Sequence, residues 1–229
     1  MKMRLIRKTN SRAVYKLKDF RKINNKFFRE IPWPDNLRGM IFSFEKKIKD
    51  EQKVIKAISS KYWVSVGYSV ESRKLVNCGN MLPNHIRPSK PTNTELHKLF
   101  CKTQSMFYKT WRNNLGPAYL KEVRMVADNM LNSAKVTCLK KNGKAVGLLI
   151  VVKWKNHMDI PVNWVVWVWI DRNLPVEERT AVRDYFTGWM KKHIRGCIQC
   201  VINSFNIKSH RFFKKMGFFP ECVHYIRTK

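Results

Sequence analysis

Two apolar runs, Ala145 to Trp154 and Val162 to Ile170, constrain the fold of this chain more than any other feature. Each is about ten residues long and rich in Val and Trp, roughly half of what a helix needs to cross a bilayer, so both read as buried strands. No transmembrane segment is expected.

The elements around these runs can be read from periodicity and punctuation. Tyr62 to Val70 alternates as a strand, and the polar, Pro-containing stretch to Pro91 reads as a long connection. Thr92-Asn93-Thr94-Glu95 has capping-box spacing, in which a hydroxyl and a carboxylate satisfy orphaned amides at a helix start. Leu96, Leu99, Phe100, Thr103, Phe107 and Trp111 then share one helical face. Asn114-Leu115-Gly116-Pro117 ends that helix and opens a second, with Leu120, Val123, Ala127 and Leu131 three or four apart. Lys140-Lys141-Asn142-Gly143-Lys144 is a turn between Val136–Leu139 and Ala145–Val152, since Asn-Gly tolerates the positive backbone angles of a tight hairpin. After the strand at Val162–Ile170 we expect a helix over Val176–His193, a strand over Cys197–Asn203, a short helix over Lys208–Met216 and a closing strand over Phe219–Ile226. The order is strand, two helices, three antiparallel strands, helix, strand, helix, strand, with no internal repeat.

Composition sets the outer bounds. A chain of 229 residues with 44% hydrophobic and 27% charged residues can bury a core, which excludes a disordered polymer and suits one domain with an appendage. Lys and Arg number 46 against 16 Asp and Glu, a net charge of +30. A field of that sign attracts nucleic acid or another polyanion, including an acidic protein or an anionic surface. Residues 1–60, with 17 basic and 6 acidic side chains, read as a basic N-terminal arm ahead of a domain over 61–229. Within the arm, Tyr15, Phe20, Phe27 and Phe28 interleave with cations, Ile31-Pro32-Trp33-Pro34-Asp35 separates two pieces, and Phe42 to Ser59 is spaced as an amphipathic helix. Both pieces fit a solvated basic face with an apolar anchor as well as they fit a nucleic-acid contact. Six cysteines are too few for a disulfide scaffold, and no signal-peptide run opens the chain, so a reducing, cytoplasmic setting is expected.

The C-terminal segment Val201 to Phe218 resembles the closing motif of the GNAT superfamily of N-acetyltransferases. It has a strand, an Asn, a small residue three later, an aromatic four beyond, then Lys-x-Gly-Phe, at Asn206, Ser209, Phe213, Lys215, Gly217 and Phe218. Asn206 can cap a helix and Gly217 can take a left-handed turn, so these residues also make local sense without the resemblance. The resemblance covers roughly residues 60–229. It implies an α/β fold with a mixed, mostly antiparallel central sheet flanked by helices, the basic extension preceding it. The shorter run Ser209-His210-Arg211-Phe212-Phe213-Lys214 resembles endings of acetyltransferase-like proteins of tailed phages, which would put the chain inside a virion or a larger protein assembly.

The resemblance further implies acetyl-CoA as cofactor. Its pantetheine would pair with the strand ending at Trp169, Ile170 and Asp171, and its diphosphate would sit on the next helix, at Arg179, Thr180, Ala181, Val182 and Arg183, with Asn206 and Ser209 nearby. The family's phosphate loop carries glycines where this chain has Ala181 and Arg183, which impedes close backbone approach. Glu177 and Glu178 also put negative charge at the helix start, where an anion would bind. An ordinary helix opened after Pro175, acid-capped and without ligand, fits the same residues. Asp171 is the first candidate for a general base and Asp159 the second, although each also suits a turn. Tyr225 or His210 would supply the acid, because Phe213 stands where many relatives have a Tyr and cannot donate a proton.

Other signals are weaker. Cys197-Ile198-Gln199-Cys200 with His193 invites a zinc reading, but strand positions three apart face opposite ways, and no metal is expected there. Trp154, Trp164, Trp167 and Trp169 suit sheet packing, or a stacking platform for bases. Two functions stay open: acyl transfer from a CoA thioester to an amine, and a non-catalytic GNAT fold that binds nucleic acid or occupies a nucleoprotein assembly. Transfer from an acidic acyl carrier protein is a third.

Overall fold

The computed structural model describes residues 3–8, 12–17, 39–44, 62–76, 81–115 and 119–227. In chain order they form β1 (Met3–Lys8), β2 (Arg12–Leu17), β3 (Gly39–Phe44), β4 (Tyr62–Glu71), β5 (Ile86–Ser89), α1 (Asn93–Trp111), α2 (Tyr119–Met130), β6 (Lys135–Lys141), β7 (Lys144–Lys155), β8 (Pro161–Ile170), α3 (Val176–His193), β9 (Cys197–Asn203), α4 (Ile207–Lys215) and β10 (Phe219–Arg227). Both runs that read as buried strands are strands, and the element order after residue 61 follows the sequence except for the added β5. The chain divides into two compact units, one of Met1–Lys74, Lys155–Val162 and Cys197–Lys229, the other of Leu75–Trp154 and Asn163–Gly196.

In the first unit the strands lie in the order β1-β2-β3-β10-β4-β9. Neighbours run antiparallel except β2 and β3, which are parallel with Ala13 opposite Met40. The helix expected over Phe42–Ser59 is corrected at its start, because Gly39–Phe44 is a strand paired with β10. Met40, Ile41 and Phe42 are all buried, so this strand is covered on both faces, and a short apolar run of that kind carries no period to tell strand from helix. Residues 45–61 and the Pro-rich segment 31–35 lie outside the described residues. Tyr15, read as part of a basic arm, stacks on Phe42 with centroids 5.8 Å apart.

The second unit carries the strand order β8-β7-β6-β5. Asn142 and Gly143 have φ of 49° and 74°, as a two-residue hairpin turn requires, and they join β6 to β7. The stretch to Pro91 is not all connection, since β5 pairs antiparallel with β6. Pro88 hid it: proline cannot donate within a ladder, but an outermost strand tolerates one. Leu148 through Val152 on β7 are each 3% exposed or less, so that strand is buried on both faces. Leu148 and Ile150 pack with Leu96 and Phe100 of α1 and Val123 and Ala127 of α2. On the opposite face Gly147 admits α3 so closely that a Cβ there would lie 3.0 Å from Phe186 Cζ and 3.1 Å from Val182 Cγ1. Full burial of each such side chain contributes about 1.5–3 kcal/mol. α1 begins with the expected reciprocal cap: Thr92 Oγ1 accepts the Glu95 amide at 3.2 Å, and Glu95 Oε2 accepts the Thr92 amide at 2.8 Å. Among the described residues no helix is long and apolar enough to cross a membrane.

Candidate functional site

The turn from β8 into α3 is held from both sides. The Asp171 amide donates to the Val146 carbonyl at 2.9 Å, and Asp171 Oδ1 accepts the Asn173 amide at 3.0 Å, closing an Asx turn. Arg179, one turn into α3, reaches back so that Nη1 donates at 2.8 Å to the carbonyls of both Arg172 and Leu174. Leu174 is buried beneath this clasp. α3 then opens after Pro175, which as N-cap residue offers no side-chain cap. An 18-residue helix therefore presents its N-terminal amides and the positive end of its dipole beside a rigid loop.

The two acidic residues in that first turn behave differently. Glu177 is exposed. Glu178 is turned towards the strands: both its oxygens accept from Lys141 Nζ at 2.9 Å, and Oε1 also meets His85 Nε2 at 3.0 Å. Only 14% of its side chain is exposed. The Lys141 hydrogen bond, followed by the bond from His85, holds the Glu178 carboxyl below the usual carboxylate range despite some opposing desolvation. Its charge is thus spent on the β5–β6 side instead of on the helix amides.

The remaining residues expected at a cofactor site on this helix divide by environment. Thr180 is exposed and Ala181 half-buried, while Val182 is fully buried against Gly147 and belongs to the core. Arg183 is engaged by its neighbour, with Nε 2.8 Å from Asp184 Oδ1 and Nη2 at 2.6 Å. Trp169 is partly buried against the α1–α2 cluster, and Ile170, which ends β8, is half-buried. Trp167 belongs to the same packing, its Nε1 donating to Thr103 Oγ1 at 2.9 Å, so it serves the core rather than a platform for bases.

The other candidates lie in the first unit. Asn206 caps α4, its Oδ1 accepting the Ser209 amide at 3.3 Å, so these two residues meet as the motif suggested. Gly217 has φ 96°, the left-handed angle that admits the closing strand. Phe213 is buried between Phe212 and Phe218, with ring centroids 5.3 and 5.1 Å away. His210, 1% exposed, lies with Nε2 3.1 Å from the Asn203 carbonyl and Nδ1 2.8 Å from the Tyr68 hydroxyl. A carbonyl can only accept, so Nε2 carries the hydrogen and Nδ1 accepts from Tyr68. Tyr225 stands on β10 opposite Met40 and Val64. Asp159 is exposed at a turn with φ 61°.

The sequence reading missed two groupings. Lys141 and His85 are 37 and 93 positions from Glu178, so nothing local announces that they meet it. Cys222 and His224 are two apart on a strand and so share a face, and His157 joins them from the β7–β8 connection. The Cys-x-His spacing was the available signal.

No protein-family model and no curated protein matches the sequence. Comparison of folds finds a conserved protein of unknown function from Staphylococcus epidermidis, with TM-score 0.52 and 12% identity over 94% of this chain and 83% of that one. A GCN5-related N-acetyltransferase from Kribbella flavida gives TM-score 0.47 and 10% identity over 95% of this chain and 81% of that one. One from Sphaerobacter thermophilus gives 0.47 and 8% over 98% and 76%. At such identities the likeness is one of fold. What the chain shares with the Staphylococcus epidermidis protein is its fold, in which mostly antiparallel strands alternate with helices.

Proposed function

We propose that the chain is a GNAT-like N-acyltransferase that binds acetyl-CoA, or another acyl-CoA, with the diphosphate on the first turn of α3. One observation carries this reading: the N-cap residue Pro175 supplies no side-chain cap to α3, and Glu178 in its first turn is held by Lys141 and His85. Pro175 supplies a fixed entry angle, and Arg179 keeps the Arg172–Leu174 loop clasped beside the anion position. When bound, the CoA thioester supplies an activated acyl carbon and a thiolate leaving group to an attacking amine. The side chains of Ala181 and Arg183 keep the diphosphate further from the backbone than glycines would, which favours modest affinity.

A second reading, nucleic-acid binding without catalysis, rests on Phe213, which stands where the resemblance would place a proton-donating Tyr and is packed as core. The net charge of +30 suits it. Calorimetry with acetyl-CoA beside a salt titration of RNA and DNA binding separates the two. Micromolar thioester binding that falls in an Arg179→Ala variant supports the enzyme. Absence of thioester binding, with nucleic-acid affinity that drops steeply with salt, overturns it in favour of the second reading.

A further inference from the structure

In the first unit, three good metal donors converge on one face of the sheet. A ring nitrogen of His157, Cys222 Sγ and a ring nitrogen of His224 all lie within 4.8 Å of one another. Cys222 Sγ and His224 Nε2 are 3.2 Å apart, and the rings of His157 and His224 meet edge to face with centroids 6.0 Å apart. Tetrahedral zinc bonded to two imidazoles and a thiolate separates its donors by about 3.3–3.6 Å, given metal–ligand lengths of about 2.0–2.3 Å. The Cys222–His224 pair is already near that spacing, and no pair among the three exceeds 4.8 Å.

The surroundings favour a built site. Gly67 lies opposite Cys222 in the β4–β10 ladder, and a Cβ on it would overlap Cys222 Sγ and come within 3.3 Å of His224 Nε2. The absence of a side chain there is what lets the two donors sit over the backbone. His157 is presented by a pinned connection: Asn156, 8% exposed, accepts the amides of Met158 and Ile160 on Oδ1 at 2.8 and 3.1 Å. Val14 and Ile41 pack with Cys222, and Met158 lies against them, which gives the donors an apolar wall.

We propose that His157, Cys222 and His224 bind zinc(II), leaving one coordination position open. Two imidazoles and a thiolate suit a borderline-soft divalent ion, whereas magnesium and calcium take oxygen donors. On binding, the Cys222 S–H bond is replaced by a sulfur–metal bond and the proton passes to solvent, with no change of oxidation state.

The test titrates the purified full chain, stripped with chelator, with cobalt(II) and then zinc(II). The expected result is one cobalt per chain, a thiolate-to-cobalt charge-transfer band with tetrahedral visible absorption, and full displacement by zinc. Cys222→Ser should abolish the band, and His157→Gln should weaken binding by more than about 100-fold, since even residues outside a metal's ligand set cost 10- to 100-fold. Cys101→Ser, at a different Cys–His pair, should change nothing. Metal-free His157→Gln is checked by circular dichroism and thermal unfolding, so a folding defect is not taken for a lost ligand. A band that survives Cys222→Ser, binding unaffected by His157→Gln in a folded variant, or no stoichiometric binding at all overturns the proposal.

Discussion

The Tyr68 hydroxyl donates to His210 Nδ1 at 2.8 Å, joining two buried residues 142 positions apart. His210 in turn donates to the Asn203 carbonyl from Nε2, so one imidazole ties the middle of β4 to the end of β9 and the start of α4. A buried acceptor that loses its donor carries its desolvation cost uncompensated. Tyr68→Phe keeps the ring and removes only the hydroxyl, so it should destabilise the fold by about 1–3 kcal/mol. Chemical denaturation measures this as a lower midpoint at unchanged slope. A midpoint equal to that of the parent chain would show that the hydroxyl contributes nothing net.

The Glu178 cluster gives stability a pH dependence of known sign. Its carboxyl is held low in the folded chain by Lys141 and His85, so folding favours the ionised form. The contribution is present above the ordinary carboxylate value near 4.5 and is lost as pH falls through the lower folded value. Glu178→Gln should therefore be less stable than the parent at pH 7, and the gap should close on acidification below about pH 4.5. Added salt should narrow the gap at pH 7 because the cluster lies near the surface. Thermal unfolding across pH 3 to 7 checks both; a gap that widens on acidification would contradict the assignment.

Much of the second unit was legible because its signals are local. Thr92 and Glu95 are three apart, Asn142 and Gly143 adjacent, and the start of α3 follows from Pro175 acting as punctuation. β3 and β5 were not legible, for two different reasons. Gly39–Phe44 is short and its Met40, Ile41 and Phe42 are all buried, so it has no alternation, and Ile86–Ser89 contains a proline that reads as a breaker. At the β8–α3 turn, the sequence located the helix start and its acids but not where the acids point. Glu178 is directed by Lys141 and His85, whose proximity is a product of the sheet order and not of spacing along the chain. The His157–Cys222–His224 group is invisible for the same reason apart from its Cys-x-His half.

Cys197 tests the environment of the Cys-x-x-Cys pair. Desolvation first, then the charges of Glu221 and Glu71, push its thiol up to about 11, although the side chain is only half-buried. The reactive form is the thiolate, of which about a thousandth is present at pH 8 at that value. Alkylation of Cys197 by iodoacetamide, followed by peptide mass spectrometry, should be slow at pH 8 and accelerate about tenfold per pH unit up to the folded value. Glu221→Gln removes one of the charges that raise it and should speed the reaction at pH 8. A Cys197 that alkylates at pH 8 as fast as a free thiol would place it in a far wetter setting than the sheet provides.

Arg179 separates positioning from simple attraction at the proposed acyl-CoA site. Its guanidinium is committed to the carbonyls of Arg172 and Leu174, so its part is to keep the loop before α3 closed. Arg179→Ala leaves those carbonyls without their donors and should cost about 1.5–3 kcal/mol of stability, the range for bonds from a charged group. Arg179→Lys keeps the charge, but on a side chain one atom shorter, which draws the donor back from the two carbonyls that Nη1 bridges. If the loop must be clasped for the diphosphate to reach the helix amides, both variants should weaken acetyl-CoA binding to a similar extent, with little change in its dependence on salt. If Arg179 acts only as a nearby positive charge, the Lys variant should bind as the parent does and only the Ala variant should weaken. Calorimetry of the two variants at low and high ionic strength, each first shown to be folded, distinguishes these outcomes.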